Sequence, residues 1–253
     1  MSIHSKMKRT FATLPLLIVF TFSNCTQSST IPERVGSTLD SKITGTVTLY
    51  NDLLSKVSPD GMTVSIEGTS YTATTDSGGK YIFKDVKYGT YSFIFSKAGY
   101  GTSRIDTFKH VNNNDQIPSI VPNKTLGASS TTAISALATE VEGDTVIIHP
   151  STSPAATRDT SRGVRFFYGP TVSVSGSNYS GYSPVYGLKS AVGSVRVGKE
   201  DFYKLGFTGG STVYIKAYGE SFISSDYLDL ATGKRVFPNL NATTVDAVPV
   251  ILP

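Results

Sequence analysis

The run TDSGGKYIFKDVKYGTYSFIFSKAGY, residues 75–100, decides the fold class. Tyr81, Phe83 and Val86 fall on one apolar face, with Lys80, Lys84 and Lys87 spaced between them. After the Tyr88-Gly89 turn, Tyr91, Phe93 and Phe95 recur at every second residue, the period of a half-buried strand. Asp76-Ser77-Gly78-Gly79 opens the run as a hairpin-type turn, in which the Asp76 side chain is expected to cap the turn rather than bind a metal.

Outward from this run the pattern stays regular. Residues 43–49 form a strand with Ile43, Val47 and Leu49 on one face, and residues 51–61 form a loop with Pro59-Asp60-Gly61 as its turn. Met62, Val64 and Ile66 mark a second strand ended by Gly68, and residues 71–75 a third. Residues 103–111 and 117–126 supply the last two, separated by Asn112-Asn113-Asn114-Asp115. That oxygen-rich run lacks EF-hand spacing and reads as a polar hairpin tip.

Gly45, Pro59, Gly61, Val64, Gly68, Asp76, Gly79, Tyr81, Phe83, Val86, Gly89, Tyr91, Gly99 and Tyr100 agree in order and spacing with a known pattern. Residues 42–126 resemble the carboxypeptidase regulatory-like domain, a transthyretin-like seven-stranded β-sandwich. The resemblance implies an accessory module that stabilises, presents or binds. In that family any peptidase chemistry lies in a separate zinc domain, for which this sequence shows no counterpart.

Residues 127–130 form a short joint of small residues, and residues 127–253 carry a second β series. Ile134, Leu137 and the VIIHP run at 146–150 read as paired strands around Glu142-Gly143-Asp144. Val164, Phe166 and Tyr168 alternate, as do Val172 and Val174. Residues 212–219 give a late strand, and residues 245–252 a closing one. SRGVRFFYG (161–169) and GGSTVYIKAYGES (209–221), with Leu205, Tyr214, Ala217 and Tyr218 in place, resemble a bacterial fibronectin type III-like domain, with a generic immunoglobulin-like sandwich as the alternative. The expected fold is all-β, two tandem β-sandwiches.

The N-terminus stands outside that fold. Lys6, Lys8 and Arg9 precede an apolar run at 11–22 (FATLPLLIVFTF), which is too short to span a bilayer comfortably. Cys25, the single cysteine, follows directly, and the polar residues 25–41 read as a tether. Residues 1–24 resemble a bacterial lipoprotein signal, although Asn24 stands where a small residue is usual and Phe22 where leucine is commonest. The resemblance implies lipidation at Cys25, a membrane anchor and a place at the bacterial cell envelope, with the outer membrane as the expected location. An ordinary secretory signal with a coincidental cysteine is the alternative. With Cys25 acylated, no thiol remains for a disulfide or a metal.

The net charge of +4 belongs largely to the signal. Of 23 basic residues, Lys6, Lys8 and Arg9 are lost with it, leaving 20 against 19 acidic residues. That balance, with Lys and Arg dispersed, gives no basis for nucleic-acid binding.

Chemistry-bearing patterns are sparse. Beyond the signal only His110 and His149 remain, with no paired-histidine spacing for zinc. No GxSxG string marks a serine nucleophile. A glycosidase needs only two carboxylates and no motif, and Glu200, Asp201, Asp226 and Asp229 are its scattered candidates. The reading is therefore non-enzymatic and without cofactors. The residues expected to contact a ligand are Tyr179, Tyr182, Tyr186 and Tyr203, set among Gly and Ser, because loop tyrosines make amphipathic contact surfaces of low entropy cost. The absence of tryptophan, the strongest sugar-stacking residue, weighs against sugar, and packing within the sandwich is the plainer use of these rings. The expected function is a lipid-anchored binding or scaffolding module with an envelope protein as partner. Carbohydrate binding through the tyrosines is the alternative, and a motif-less hydrolase the third reading.

Overall fold

The computed structural model describes residues 40–112 and 117–253. Cys25, the signal and most of the Asn112–Asp115 run lie outside them. The first series of strands is β1 (Asp40–Tyr50), β2 (Lys56–Val57), β3 (Thr63–Ile66), β4 (Thr72–Thr74), β5 (Lys80–Lys87), β6 (Gly89–Ser96), β7 (Ser103–His110), β8 (Ser119–Ile120) and β9 (Lys124–Gly127). One sheet runs β2-β1-β5, with β8 and β9 added parallel to β1, and the other runs β4-β3-β6-β7.

The decisive run therefore crosses the sandwich. β5 pairs with β1 and β6 with β3 and β7, so Tyr81, Phe83 and Val86 meet Phe93 and Phe95 across the core. The rings of Tyr81 and Phe95 pack edge to face at 6.1 Å, and those of Phe83 and Phe93 lie tilted at 5.9 Å. Ser41 and Ile43, two apart, face Val86 and Phe83, three apart; the extra residue is a β-bulge on β5, with Asp85 at φ 55°. That bulge explains why Val86, not Asp85, faces inward.

Two expectations need correction here. The turn at 76–79 is tight, but it joins strands of opposite sheets, so it is a corner and not a ladder hairpin. Asp76 Oδ1 accepts the amides of Gly78 and Lys80, both at 2.9 Å, and Gly79 takes φ 81°, where a Cβ would also meet the Val47 carbonyl. The loop after β1 is also partly structured: β2 returns onto β1, closed by Asn51 Oδ1, which accepts the amides of Leu53 and Ser55.

The second series is β10 (Ala133–Glu142), β11 (Thr145–Ser153), β12 (Arg162–Gly169), β13 (Gly181–Tyr182), β14 (Tyr186–Leu188), β15 (Val195–Gly198), the helix α1 (Lys199–Lys204), β16 (Thr212–Gly219), β17 (Tyr227–Asp229), β18 (Lys234–Val236) and β19 (Val248–Ile251). One sheet is β10-β11-β15. The other is β13-β12-β16-β19, with β14 on the same flank of β12 as β13, and β17-β18 form a separate hairpin. β10 and β11 pair around residues 142–145, as the sequence suggests.

The strand expected around Val172 and Val174 does not form. Pro170 has no N–H to give a ladder, and Val174 N instead closes a turn on Thr171 O at 3.2 Å. Val172 is left exposed, while Val174 packs beside Phe167 and Phe237. The helix α1 has no foreshadowing in the sequence because six residues are too few for a 3.6 period. Glu200 and Asp201 in its first turn and Lys204 in its last favour it electrostatically, and buried Phe202 anchors it. Among the described residues no helix is long and apolar enough to cross a membrane.

The small-residue joint is buried at Gly127 and Ser130 and half-buried between them. Asn239 Nδ2 donates to Gly127 O at 3.0 Å, Ile223 O at 3.1 Å and Ser225 Oγ at 2.9 Å, and Ser103 Oγ donates to Ser225 O at 2.8 Å. A Cβ on Gly127 would collide with the Ile223 carbonyl, so only glycine permits this approach. Asp52 carboxylate accepts the Thr131 amide and hydroxyl at 2.8 and 2.7 Å. The described residues of both sandwiches accordingly fall in one compact unit.

Candidate functional site

β12 is buried on both faces: Val164, Phe166 and Tyr168 point into the sandwich, while Arg165 and Phe167 are covered from the other side. β13 and β14 pair with one flank of it, Tyr182 opposite Phe167 and Tyr186 opposite Val164. Between them the chain turns through Ser183-Pro184. The amide of Ser183 donates to Phe166 O at 2.9 Å, and its hydroxyl accepts from Phe166 N at 3.0 Å. The two tyrosines are thereby held on a short, ordered segment.

The segment faces α1 across a cleft of about 340 Å³. Tyr182, Pro184 and Tyr186 line it from one element, Phe202 and Leu205 from the other, and Asp201 and Lys204 add an ion pair at 2.9 Å. Tyr168, buried beside Phe202 with ring centroids 5.1 Å apart, also contributes. Burial first, then the neighbouring Tyr186 and Asp201, raise the Tyr168 hydroxyl well above the ordinary tyrosine range. Tyr186 is raised by the same causes, burial and then Asp201, so both rings present neutral hydroxyls. The volume falls at the small end of those of pockets for small molecules, roughly 300–1,000 Å³. Aromatic faces beside an acceptor carboxylate and a donor ammonium can hold a polar, hydroxyl-rich ligand through stacking and hydrogen bonds.

Of the four sequence-predicted tyrosines, the cleft brings Tyr182 and Tyr186 together. Tyr179 lies one ring away, edge to face with Tyr182 at 5.6 Å, its hydroxyl donating to Arg235 O at 2.9 Å. Tyr203 is apart from them: it packs on the core and its hydroxyl donates to Pro253 O at 2.9 Å.

The four carboxylates do not converge. Asp201 borders the cleft with Lys204, and Glu200 is its exposed neighbour on α1. Asp226 pairs with Arg235, and Asp229 accepts from Ala231 N at 3.0 Å and Thr232 Oγ1 at 2.8 Å. The histidines sit in different sandwiches. His110 Nδ1 lies 2.7 Å from Ser119 Oγ and Nε2 3.1 Å from Val86 O, while His149 meets Glu140 at 3.1 Å. Among the described residues no group of three or more His, Cys, Asp or Glu could hold a metal ion.

Sequence reasoning passed over Arg165 and Glu220. Their side chains form an ion pair exposed by only 7% and 0%. Arg165 also donates to the carbonyl of Ser183, and its guanidinium carbon lies 4.6 Å from the Phe237 ring centre and 5.5 Å from that of Tyr182. The one available signal was Phe167, an aromatic on what should be the outward face of β12.

The fold and cleft define an all-β protein of two sandwiches with a small aromatic recess on the second. Residues 42–120 match the family model described as the carboxypeptidase regulatory-like domain, which accounts for the first sandwich. No curated protein matches the chain. Among solved structures, the chain is similar to a candidate carbohydrate-binding protein from Bacteroides uniformis, at 14% identity and TM-score 0.31, over 84% of this chain and 99% of that one. A DUF3823 family protein from Bacteroides ovatus aligns at 10% identity and TM-score 0.27, over 85% and 100%. A mutant type II cohesin–X-dockerin complex from Acetivibrio cellulolyticus aligns at 26% identity and TM-score 0.29, over 36% of this chain; the match spans 59% of that chain's length.

Proposed function

We propose that the protein is a non-catalytic binding module, anchored by a lipid on Cys25 at the bacterial cell envelope, whose contact surface is the Tyr182–Tyr186 cleft. The observation that carries this reading is that cleft: two tyrosines lining it, held on a short paired segment against α1. The match of the first sandwich to a regulatory-like accessory domain supports a presenting role. The second sandwich is read as fibronectin type III-like or immunoglobulin-like. Asp226 and Asp229 are committed to a cation and a turn away from Asp201, which favours binding over two-carboxylate hydrolysis.

Intact mass of the membrane-purified protein, beside Cys25→Ala, tests the address. Acyl mass on a chain beginning at Cys25, absent from the variant, supports the anchor; an unacylated chain refutes it. A protein partner at the envelope is the first expectation. The combination of Tyr182, Tyr186, Asp201 and Lys204 favours carbohydrate as the second reading. A soluble-glycan panel decides that one: binding abolished in Tyr182→Ala and Tyr186→Ala supports it, and no binding by the unaltered protein sinks it.

A further inference from the structure

Arg165 has three engagements at once. Its Nε donates to Glu220 Oε2, its Nη1 donates to the carbonyl of Ser183, and its planar face is covered by Phe237 and Tyr182. Glu220 is held in turn by Ser224 Oγ, which donates to its Oε1 at 2.6 Å, while Glu220 N donates to Gly163 O at 2.9 Å. Ser183 is the residue between Tyr182 and the Pro184 turn, so a bond to its carbonyl acts on the segment that carries both cleft tyrosines. A buried ion pair adds little net stability over an apolar pair of the same size, and breaking one partner is costly. What the pair adds is direction. A guanidinium fork fixes two acceptors in one plane and a ring above it, which neither an ammonium nor an apolar side chain can do.

We propose that Arg165 is the positioning residue of the cleft: paired with Glu220, it sets the pose of Ser183 and the ring of Tyr182 and so pre-forms the surface that Tyr182 and Tyr186 present. The proposal rests on reading the cleft as the binding surface. It deepens that reading by naming the group that holds the surface in place without touching the ligand. Pre-forming a contact segment lowers the ordering cost of binding.

The test uses the full chain without ligand, so its outcome stands apart from the glycan panel. Amide hydrogen exchange is followed in the wild type and in Arg165→Met/Glu220→Leu, with 3-fluorotyrosine at position 182 as a fluorine NMR reporter. The expected result is exchange about tenfold faster or more at residues 182–188, with the amides of β16 and β19 unchanged. The Tyr182 fluorine signal is expected to move to its solvent value. Arg165→Lys gives the same local loosening, because one ammonium cannot hold Glu220 and Ser183 and also stack. If the double variant does not fold, Arg165→Lys decides by the same criteria. Unaltered exchange at 182–188 with an unmoved fluorine signal overturns the proposal, as does acceleration spread equally over β12, β16 and β19.

Discussion

Replacing Tyr81 by Phe should stabilise the protein. Tyr81 is 2% exposed, its ring packs edge to face on Phe83 and Phe95, and its hydroxyl has no hydrogen-bond partner. The Phe side chain keeps both ring contacts and removes only the stranded hydroxyl, which costs roughly 1–3 kcal/mol when buried unpaired. The void left by one oxygen offsets part of this, so a net gain of about 1 kcal/mol is expected. For a cooperative unit of the size of both sandwiches together, that gain corresponds to a Tm rise of about 2–4 °C. Burial also holds the Tyr81 hydroxyl above its ordinary pKa of 10.0. A group raised in the folded state contributes its full stability below the unfolded value and loses it as pH climbs past 10.0. Tyr81→Phe should therefore flatten the alkaline fall in stability. It should not abolish it, since Tyr168 is raised in the same way. Denaturant unfolding at neutral pH and near pH 11 measures both effects. A loss of about 1 kcal/mol or more at neutral pH would refute the reasoning, because it would mean the hydroxyl has a partner worth keeping.

Three further outcomes follow from named contacts. Asn239→Ala takes a buried donor from the Gly127 and Ile223 carbonyls and should cost about 1–3 kcal/mol by denaturant titration, whereas an exposed Asn substitution stays within about 0.5 kcal/mol. Burial lowers the His110 pKa from 6.5, so its neutral form belongs to the fold. Stability from this group is complete above pH 6.5 and falls as pH drops below it, and thermal melts of His110→Gln should lose that acid slope. Phe202→Ala removes the anchor of α1 and should cost about 3–5 kcal/mol, read by chemical unfolding, while loosening the wall that carries Asp201.

The first sandwich was legible because its inward residues alternate within single strands. Tyr81, Phe83, Phe93 and Phe95 announce their face by period alone, whereas the bulge behind the three-residue step from Phe83 to Val86 shows only in the register of β1 and β5. What was not legible is which strands are neighbours. Residues 76–79 look like a hairpin locally, and only the pairing of β4 with β3 and β5 with β1 makes them a corner. The cleft has the same character. Tyr182 and Tyr186 are conspicuous in the chain, but their meeting with Asp201 depends on a six-residue helix that has no pattern of its own. Arg165 and Glu220 are 55 residues apart and meet because β12 pairs with β16, placing Glu220 just beyond Gly219 opposite Val164. In sequence Arg165 reads as an ordinary outward charge between two buried neighbours.

The proposed function puts the contact surface at Tyr182 and Tyr186. The most direct measurement is site-specific photo-cross-linking in intact bacteria, with the probe replacing Tyr186 in one strain and Ile82, exposed on the first sandwich, in another. The expected result is a discrete protein or glycan adduct from position 186 that is absent from position 82 and disappears when Tyr182→Ala is added. The same adducts from both positions, or none from position 186, would contradict it.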